Sequence, residues 1–235
     1  MTLPTQGPPA DDPTCYSRFV NEWFCWQYVE DRRGEILDAL AEHVAITLAA
    51  VALGVLLALP LALLARRFPR LETAVLGFST GLYTIPSLAL LPLLVPFTGL
   101  SAATVVIGLG LYALTILVRA LLDGLRSVPD DVREAATGLG YGRARLLVRV
   151  ELPLALPVVM AGLRVATVST VALTTIGTLV AYGGLGDLIS HGVQRDFRAE
   201  LLTAALLCVA LAALLDVVLV VTQRLLTPWT RGAGA

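Results

Sequence analysis

DDVREAATGLGYGRARLLVRVELP, residues 130–153, is the stretch of sequence around which the chain is organised. Its pattern predicts two short helices that meet at glycines. The first helix carries acidic residues in its first turn, where the helix dipole favours them, and Ser127 is a candidate N-cap. Gly140 is expected to end this helix, because glycine adopts a positive φ without steric cost. A second helix follows, and Pro153 is expected to weaken it because proline lacks a backbone N–H.

We call residues 127–156 the polar loop, since they lie between strongly apolar segments. Two interpretations follow from the residues alone. The loop is either an ordinary basic connection between two membrane helices or a docking element for another protein. Its pair of polar helices, with small side chains on one face, suits docking but does not require it.

The composition indicates a membrane protein. Of the 235 residues, 57% are apolar and 15% are charged, and the mean hydropathy is +0.79. Soluble domains are nearer to about 45–50% apolar and about 25% charged. The formal net charge of −1 provides no overall field that would favour nucleic acid. We therefore predict an all-α integral membrane protein.

Five segments of about 20 or more apolar residues are each long enough to cross a bilayer. They are residues 44–65, 73–97, 102–122, 157–182 and 201–223. The second is irregular because it contains Pro86, Pro92 and Pro96, and prolines at membrane depth leave carbonyls that need other partners. These spans define a membrane domain. The predicted divisions are an N-terminal tail of residues 1–40, the membrane domain of residues 41–228 and a C-terminal tail of residues 229–235.

The distribution of arginine predicts how the chain is oriented. Eleven arginines lie in the polar loop and in the other segments on the same side of the membrane, and five lie on the opposite side. Short loops rich in arginine stay in the cytoplasm. We therefore expect a cell-membrane protein with the polar loop and the C-terminus in the cytoplasm and the N-terminus outside. A cleavable signal peptide is not expected, since residues 1–40 have no apolar core behind a basic start.

Seven residues of the polar loop stand at fixed spacings that carry a resemblance. They are Glu134, Ala135, Ala136, Gly140, Val150, Leu152 and Pro153. The pattern resembles the EAA loop of ABC importer permeases, which is EAA, three residues, G, nine residues, I, one residue and LP. Only Val150, in place of isoleucine, departs from it. The resemblance implies a type I importer permease fold in which the loop is a coupling helix, with the other six residues in an ATPase-coupling role.

The resemblance also implies an assembly of several subunits. A second permease subunit, identical or paralogous, would complete the pathway, two cytoplasmic ATPase subunits would grip the coupling loops, and an extracytoplasmic binding protein would deliver the solute. The sequence has no GxxxxGK[ST] motif for binding phosphates. Hydrolysis of ATP is therefore expected in a separate subunit, and no cofactor, metal or nucleic acid is expected in this chain.

Five further segments are similar to one branch of these permeases, the importers of osmoprotectants. They are residues 85–89, 125–128, 150–157, 160–168 and 183–187. This similarity, which extends over roughly residues 40–225, implies a quaternary-ammonium solute such as glycine betaine, choline or carnitine. The alternative is a permease for amino acids or another small polar solute, since the coupling loop does not encode the substrate.

The fourth span carries a stripe of polar residues spaced three or four apart, so that they share one helix face. Its members are Arg164, Thr167, Thr170, Thr174, Thr178 and Tyr182. The stripe is either a packed face whose hydroxyls bond to their own helix, or a wall of the translocation path. The residues leave both interpretations open.

Charged groups inside the spans stand out from the many hydroxyl-bearing residues there. Arg164 and Asp216 are the strongly charged ones, and such groups usually pair with each other or line a pore. The sequence does not fix the relative depths of their helices. Tyr83, Tyr112 and Tyr182 are expected to offer weak cation–π contacts along a path for a quaternary ammonium ion.

The segment ahead of the first span mixes aromatic and charged residues. Residues 1–14 are expected to be disordered, and residues 15–42 to form a helix at the membrane interface. Cys15 and Cys25 could form a disulfide outside the cell. In one continuous helix, however, their separation would be ~15 Å, which is too far to bridge. Two free thiols are therefore predicted.

Two other classes of membrane protein fit the residues less well. An intramembrane enzyme needs a catalytic constellation that faces one cavity. The only histidines are His43 and His191, neither of them in an HExxH context, and no GxSxG motif occurs. A channel needs no docking element for an ATPase, so the coupling loop argues against a channel.

Overall fold

The computed structural model describes residues 14–229, and the chain there is built from helices. Residues 1–13 and 230–235 lie outside this description, and with them nearly all of the predicted disordered start and C-terminal tail. The helices are α1 (Trp26–Asp31), α2 (Arg33–Arg67), α3 (Pro69–Thr84), α4 (Ser87–Thr98), α5 (Ala102–Arg126), α6 (Asp130–Gly138), α7 (Arg143–Leu146), a π turn (Leu147–Glu151), α8 (Leu152–Thr174), a 3-10 segment (Thr175–Val180), α9 (Leu185–Gln194) and α10 (Arg198–Leu226).

Four helices within residues 14–229 are long and apolar enough to cross a membrane. They are α2, α5, α10 and the continuous helix Arg143–Val180, which runs from α7 through the π turn and α8 to the end of the 3-10 segment. A fifth span results if α3 and α4, which are bent by 99° from each other, are counted together. The predicted all-α membrane fold with about five spans is therefore confirmed, with its second span broken.

The break between α3 and α4 lies at Ile85 and Pro86. Because the ring of Pro86 disfavours a helical residue before it, Ile85 is extended, with φ −67° and ψ 124°. The hydroxyl of Tyr112 on α5 donates a hydrogen bond to the carbonyl of Ile85. Pro92 and Pro96 lie within α4. The irregularity that the three prolines predict is thus concentrated at the first of them.

Helix α5 is the centre of the bundle and packs against α2 and α8. In its most apolar stretch 67% of the residues are buried, against 11% in α10, which lies at the edge. Small residues bring the helices close together: an added Cβ on Gly54 of α2 would lie 2.9 Å from the Cβ of Ala113 on α5. An added Cβ on Gly162 of α8 would likewise collide with Ala120. Such small-residue contacts are typical of helix packing in membranes.

The segment before α2 differs from the single helix that was predicted. Cys15 and Cys25 form a disulfide, with their Cα atoms 5.7 Å apart, so the prediction of two free thiols is wrong. The chain turns back on itself between them: Asn21 has a φ of 45°, and the N–H of Glu22 bonds to the carbonyl of Cys15 at 2.9 Å. Helix α1 begins only at Trp26. The ~15 Å separation expected of one continuous helix does not apply, because the chain between the two cysteines is not helical.

This segment is held against the start of α10. The side chain of Asn21 donates to the carbonyl of Asp196 at 2.6 Å and accepts from the N–H of Arg198 at 3.0 Å. The rings of Tyr16, Tyr28 and Phe197 contact one another beside it in edge-to-face and tilted pairs, with centroids 5.2 to 6.2 Å apart. The disulfide, α1, α9 and the start of α10 therefore lie together at one end of the bundle, and the polar loop lies at the other.

Candidate functional site

The polar loop presents α6 as a short exposed helix. Glu134 and Ala135 are exposed, while Ala136 on the same helix is buried with 7% of its surface accessible. Gly140 has a φ of 84°, which is the positive value expected for it. The turn there is closed by a bond from the N–H of Tyr141 to the carbonyl of Ala136, at 3.1 Å. The loop thus exposes an acidic side chain and a small one on a helix with a fixed end.

At its start the polar loop differs from the sequence prediction. Ser127 does not cap α6, because its hydroxyl donates to the carbonyl of Gly124 at 2.8 Å and so belongs to the end of α5. At the other end, where Pro153 is expected to weaken the second helix, the helix is irregular but continues. It passes through the π turn, in which the N–H of Leu152 bonds to the carbonyl of Leu147, five residues back. This wider turn directly precedes the proline, which cannot donate to the preceding turn.

A buried ion cluster ties the polar loop to the bundle, and sequence reasoning did not find it. The carboxylate of Glu151, whose side chain is 2% exposed, accepts two hydrogen bonds from the guanidinium of Arg66, one of them at 2.6 Å. It also accepts one from Nε of Arg133 at 3.0 Å. Arg133 itself bonds to Asp130 and to the carbonyl of Leu125, both at 2.5 Å. The only signal in the sequence is that Glu151 closely follows the arginine-rich residues 143–149.

A second ion pair lies nearby but does not touch α6. Glu72 of α3 pairs with Arg126 at the end of α5. Its carboxylate is 23% exposed, against 2% for Glu151. A cavity of about 300 Å³, lined in part by Arg66, Glu72 and Arg133, separates the two pairs.

The middle of the polar stripe is packed inside the bundle. Thr167, Thr170 and Thr174 are at most 4% exposed, and each hydroxyl donates to a carbonyl four residues back, at 2.7 to 2.8 Å. The hydroxyl of Thr47 on α2 lies 3.2 Å from that of Thr174. In this conformation these three threonines therefore form a packed face, one of the two interpretations left open. Thr178 is partly exposed.

Arg164, the first member of the stripe, pairs with Asp216. Two parallel hydrogen bonds of 2.7 and 2.9 Å join its guanidinium on α8 to the carboxylate on α10. About a third of each side chain remains accessible, 35% for the arginine and 33% for the aspartate. The two charges thus neutralise each other inside the spans. The sequence alone left open whether Arg164 and Asp216 pair with each other.

The structure brings two of the three tyrosines together. Tyr83 and Tyr112 are in edge-to-face contact, with ring centroids 5.6 Å apart, beside the break between α3 and α4. Tyr83 is 50% exposed and Tyr112 only 6%. Tyr182 packs against the same apolar cluster as Tyr112, from the far end of the 3-10 segment.

Neither histidine takes part in a constellation that suggests catalysis. His43 is fully buried, and its Nε2 lies 3.0 Å from the carbonyl of Val171. His191 is exposed on α9. Within residues 14–229, no group of three His, Cys, Asp or Glu side chains is arranged to hold a metal ion.

The fold and the polar loop define the class of protein. The chain superposes on a solved structure of the MetNI methionine ABC transporter, in an inward-facing conformation, with a TM-score of 0.75. The match covers 84% of this chain and 99% of that chain at 22% identity, which establishes the fold alone. This is a multi-pass membrane protein with the fold of a type I ABC importer permease.

The family follows from the sequence. The chain belongs to the family described as binding-protein-dependent transport system inner membrane component, which matches residues 50–232. Its relatives include the choline transport system permease protein OpuBB of Bacillus subtilis (strain 168), 34% identical over 86% of this chain and 93% of the relative. The glycine betaine/carnitine/choline transport system permease protein OpuCB of the same strain is 32% identical over the same shares.

A relative from another organism has a similar name. The osmoprotectant import permease protein OsmW of Salmonella typhimurium (strain LT2) is 35% identical over 86% of this chain and 96% of the relative. The chain therefore spans nearly the whole length of these permeases.

Proposed function

We propose that this chain is the membrane-spanning subunit of an ATP-driven importer of quaternary-ammonium osmoprotectants such as glycine betaine, choline or carnitine. The observation that carries the coupling part of the proposal is the geometry of α6. It exposes Glu134 and Ala135, ends at the positive φ of Gly140, and is followed by the continuous helix Arg143–Val180. A force applied to α6 would therefore act on a helix that crosses the membrane.

In this proposal α6 is the surface that an ATPase subunit grips. The side chain of Ala135 is small, so the exposed face of the helix can approach the floor of a groove closely. Glu134 offers a carboxylate to a basic group in that groove. In this proposal Gly140 shapes the turn after α6, and Leu152 and Pro153 shape the start of α8. The permease hydrolyses no ATP itself and acts with two ATPase subunits, a second permease and an extracytoplasmic binding protein.

The orientation belongs to the same proposal. An ATPase is cytoplasmic, so the polar loop faces the cytoplasm, as the excess of arginine on its side favours. The disulfide at the opposite end also favours this orientation, because disulfides persist in oxidising compartments. The N-terminal tail would then face the outside of the cell.

The proposed substrate class rests on the printed names of the relatives, whose identities are 32 to 35%. An amino acid or another small polar solute is the alternative. Tyr83 and Tyr182, which keep accessible surface, are the best placed of the three tyrosines to contact a solute. Thr167, Thr170 and Thr174 would reach the path only if α8 moved away from α2 and α5 during the cycle. Unchanged uptake after all three tyrosines become leucine would count against a cation–π contribution.

The coupling proposal is tested by reversing one charge. Glu134→Arg should keep the permease in the membrane but reduce ATP-driven uptake of glycine betaine by about tenfold or more. Asp38→Arg, which changes another exposed carboxylate at the other end of the bundle, is the matched control and should leave co-purification of the ATPase unchanged. Retention of both ATPase binding and uptake by Glu134→Arg would refute the role given to α6.

A further inference from the structure

We propose that Glu151 is a positioning residue that makes α6, the end of α2 and the start of α8 move as one unit. The inference rests on the proposed function, in which α6 receives the movement of an ATPase. Nothing in the EAA pattern assigns a role to this position, because it is the one unspecified residue between Val150 and Leu152.

The buried carboxylate of Glu151 is held by two arginines. The side chain of Glu151 is 2% exposed, and a carboxylate removed from water in this way needs charged partners and hydrogen bonds. Both of its oxygens are occupied, by the fork of Arg66 and by Nε of Arg133. The two arginines are more accessible, at 33% and 25%. The buried acid is thus the common centre on which two separate arginines converge.

The ion cluster joins several separate helices. Arg66 belongs to the last turn of α2, Arg133 to α6 and Glu151 to the π turn that leads into α8. Arg133 extends the connection further, because its remaining nitrogens bond to Asp130 and to the carbonyl of Leu125 on α5. A single carboxylate therefore connects the coupling helix with two membrane helices directly, and with a third through Arg133.

The ion cluster also spans an irregular point of the helix Arg143–Val180. The helix Arg143–Val180 is α-helical except at its 3-10 end and at the π turn just before Pro153. A π turn next to a proline is a place where a helix can bend. Glu151 is the last residue of that turn, and its bonds to α2 and α6 restrain it from both sides. Without them, a movement of α6 would be absorbed as bending and would not reach α8.

A purely structural anchor is the competing explanation, and the two differ in what a variant loses. Removal of an anchor disrupts the assembly of the permease with its ATPase. Removal of a positioning residue leaves assembly and basal ATP hydrolysis intact, but hydrolysis no longer responds to the loaded binding protein and no longer drives uptake. The ratio of solute imported to ATP hydrolysed therefore separates them.

The experiment uses the complete importer in proteoliposomes, with glycine betaine as the transported probe. Glu151→Gln keeps the shape of the side chain and removes its charge, and Arg133→Gln detaches α6 while the pair of Glu151 with Arg66 remains. Glu72→Gln is the matched control, since Glu72 pairs with Arg126 and does not contact α6. Co-purified ATPase, basal hydrolysis, hydrolysis with loaded binding protein, and uptake are measured for each complex.

The proposal expects Glu151→Gln and Arg133→Gln to assemble normally and to import about tenfold less solute per ATP hydrolysed, while Glu72→Gln stays within about twofold of the unchanged complex. Unchanged coupling in Arg133→Gln overturns it, even if Glu151→Gln fails to fold. Loss of ATPase binding in both variants also overturns it, in favour of a structural anchor. Failure of the unchanged chain to bind an ATPase would instead refute the proposed function itself.

Discussion

Gly140 illustrates what a single residue contributes to the polar loop. Its φ of 84° lies in the left-handed region, and nothing lies within 4 Å of an added Cβ, so only the backbone penalises a substitution. Gly140→Ala should therefore destabilise the loop by about 1–2 kcal/mol. Gly138→Ala, with equally open space but at the last residue of α6, should instead stabilise it, by at most about 0.5–1 kcal/mol. Hydrogen exchange of the loop amides measures both changes in stability. If both variants shift the stability of the loop in the same direction, the role given to the positive φ of Gly140 is contradicted.

The ion pair of Arg164 with Asp216 makes a second prediction about single residues. Asp216→Asn leaves the guanidinium without its counter-charge inside a span, so less protein should insert and its melting temperature should fall. The double variant Arg164→Leu with Asp216→Leu removes both charges and should recover most of the loss. Thermal unfolding of purified protein and its amount in the membrane measure both. A single variant as stable as the unchanged chain would show that the pair has no stabilising role.

Among the elements, the break between α3 and α4 depends on a hydrogen bond from another helix. Tyr112→Phe removes the donor to the carbonyl of Ile85 and should cost about 1–2 kcal/mol in the free energy of unfolding. Tyr83→Phe is the control, because the hydroxyl of Tyr83 makes no hydrogen bond within residues 14–229 although its ring touches that of Tyr112. Denaturant titration of the two variants compares them, and equal losses would assign the effect to ring packing.

Local chemistry determined which elements could be predicted from the sequence. The apolar spans, α6 and the positive φ of Gly140 follow from hydropathy, charge placement and the properties of glycine. The π turn does not, because it depends on how Pro153 fits into a helix that continues through it. The disulfide could not be predicted, because it depends on the turn at Asn21 and no local sequence pattern indicates that turn. The cluster around Glu151 joins residues up to 85 positions apart, so only the fold reveals it.

On the scale of the whole molecule, the two ends of the bundle differ in chemistry. One end holds the ion pairs of Glu151 and Glu72 with their arginines, and the other holds the disulfide and the cluster of Tyr16, Tyr28 and Phe197. Arginine-rich loops stay in the cytoplasm, and disulfides persist outside it. These two arguments rest on different residues and different physics, and both favour the same orientation.

Thiol labelling of whole cells tests that orientation. After reduction, a maleimide that cannot cross membranes should label Cys15, which is partly accessible, in intact cells, because the segment that carries it faces outside in the proposal. In a chain with Cys15, Cys25 and the free Cys208 all changed to serine, Ala144→Cys places an exposed thiol on α7 of the polar loop. That thiol should react only after the membrane is opened. Labelling of Ala144→Cys in intact cells would put the polar loop on the outer surface, out of reach of any ATPase, and the coupling proposal would fail with it.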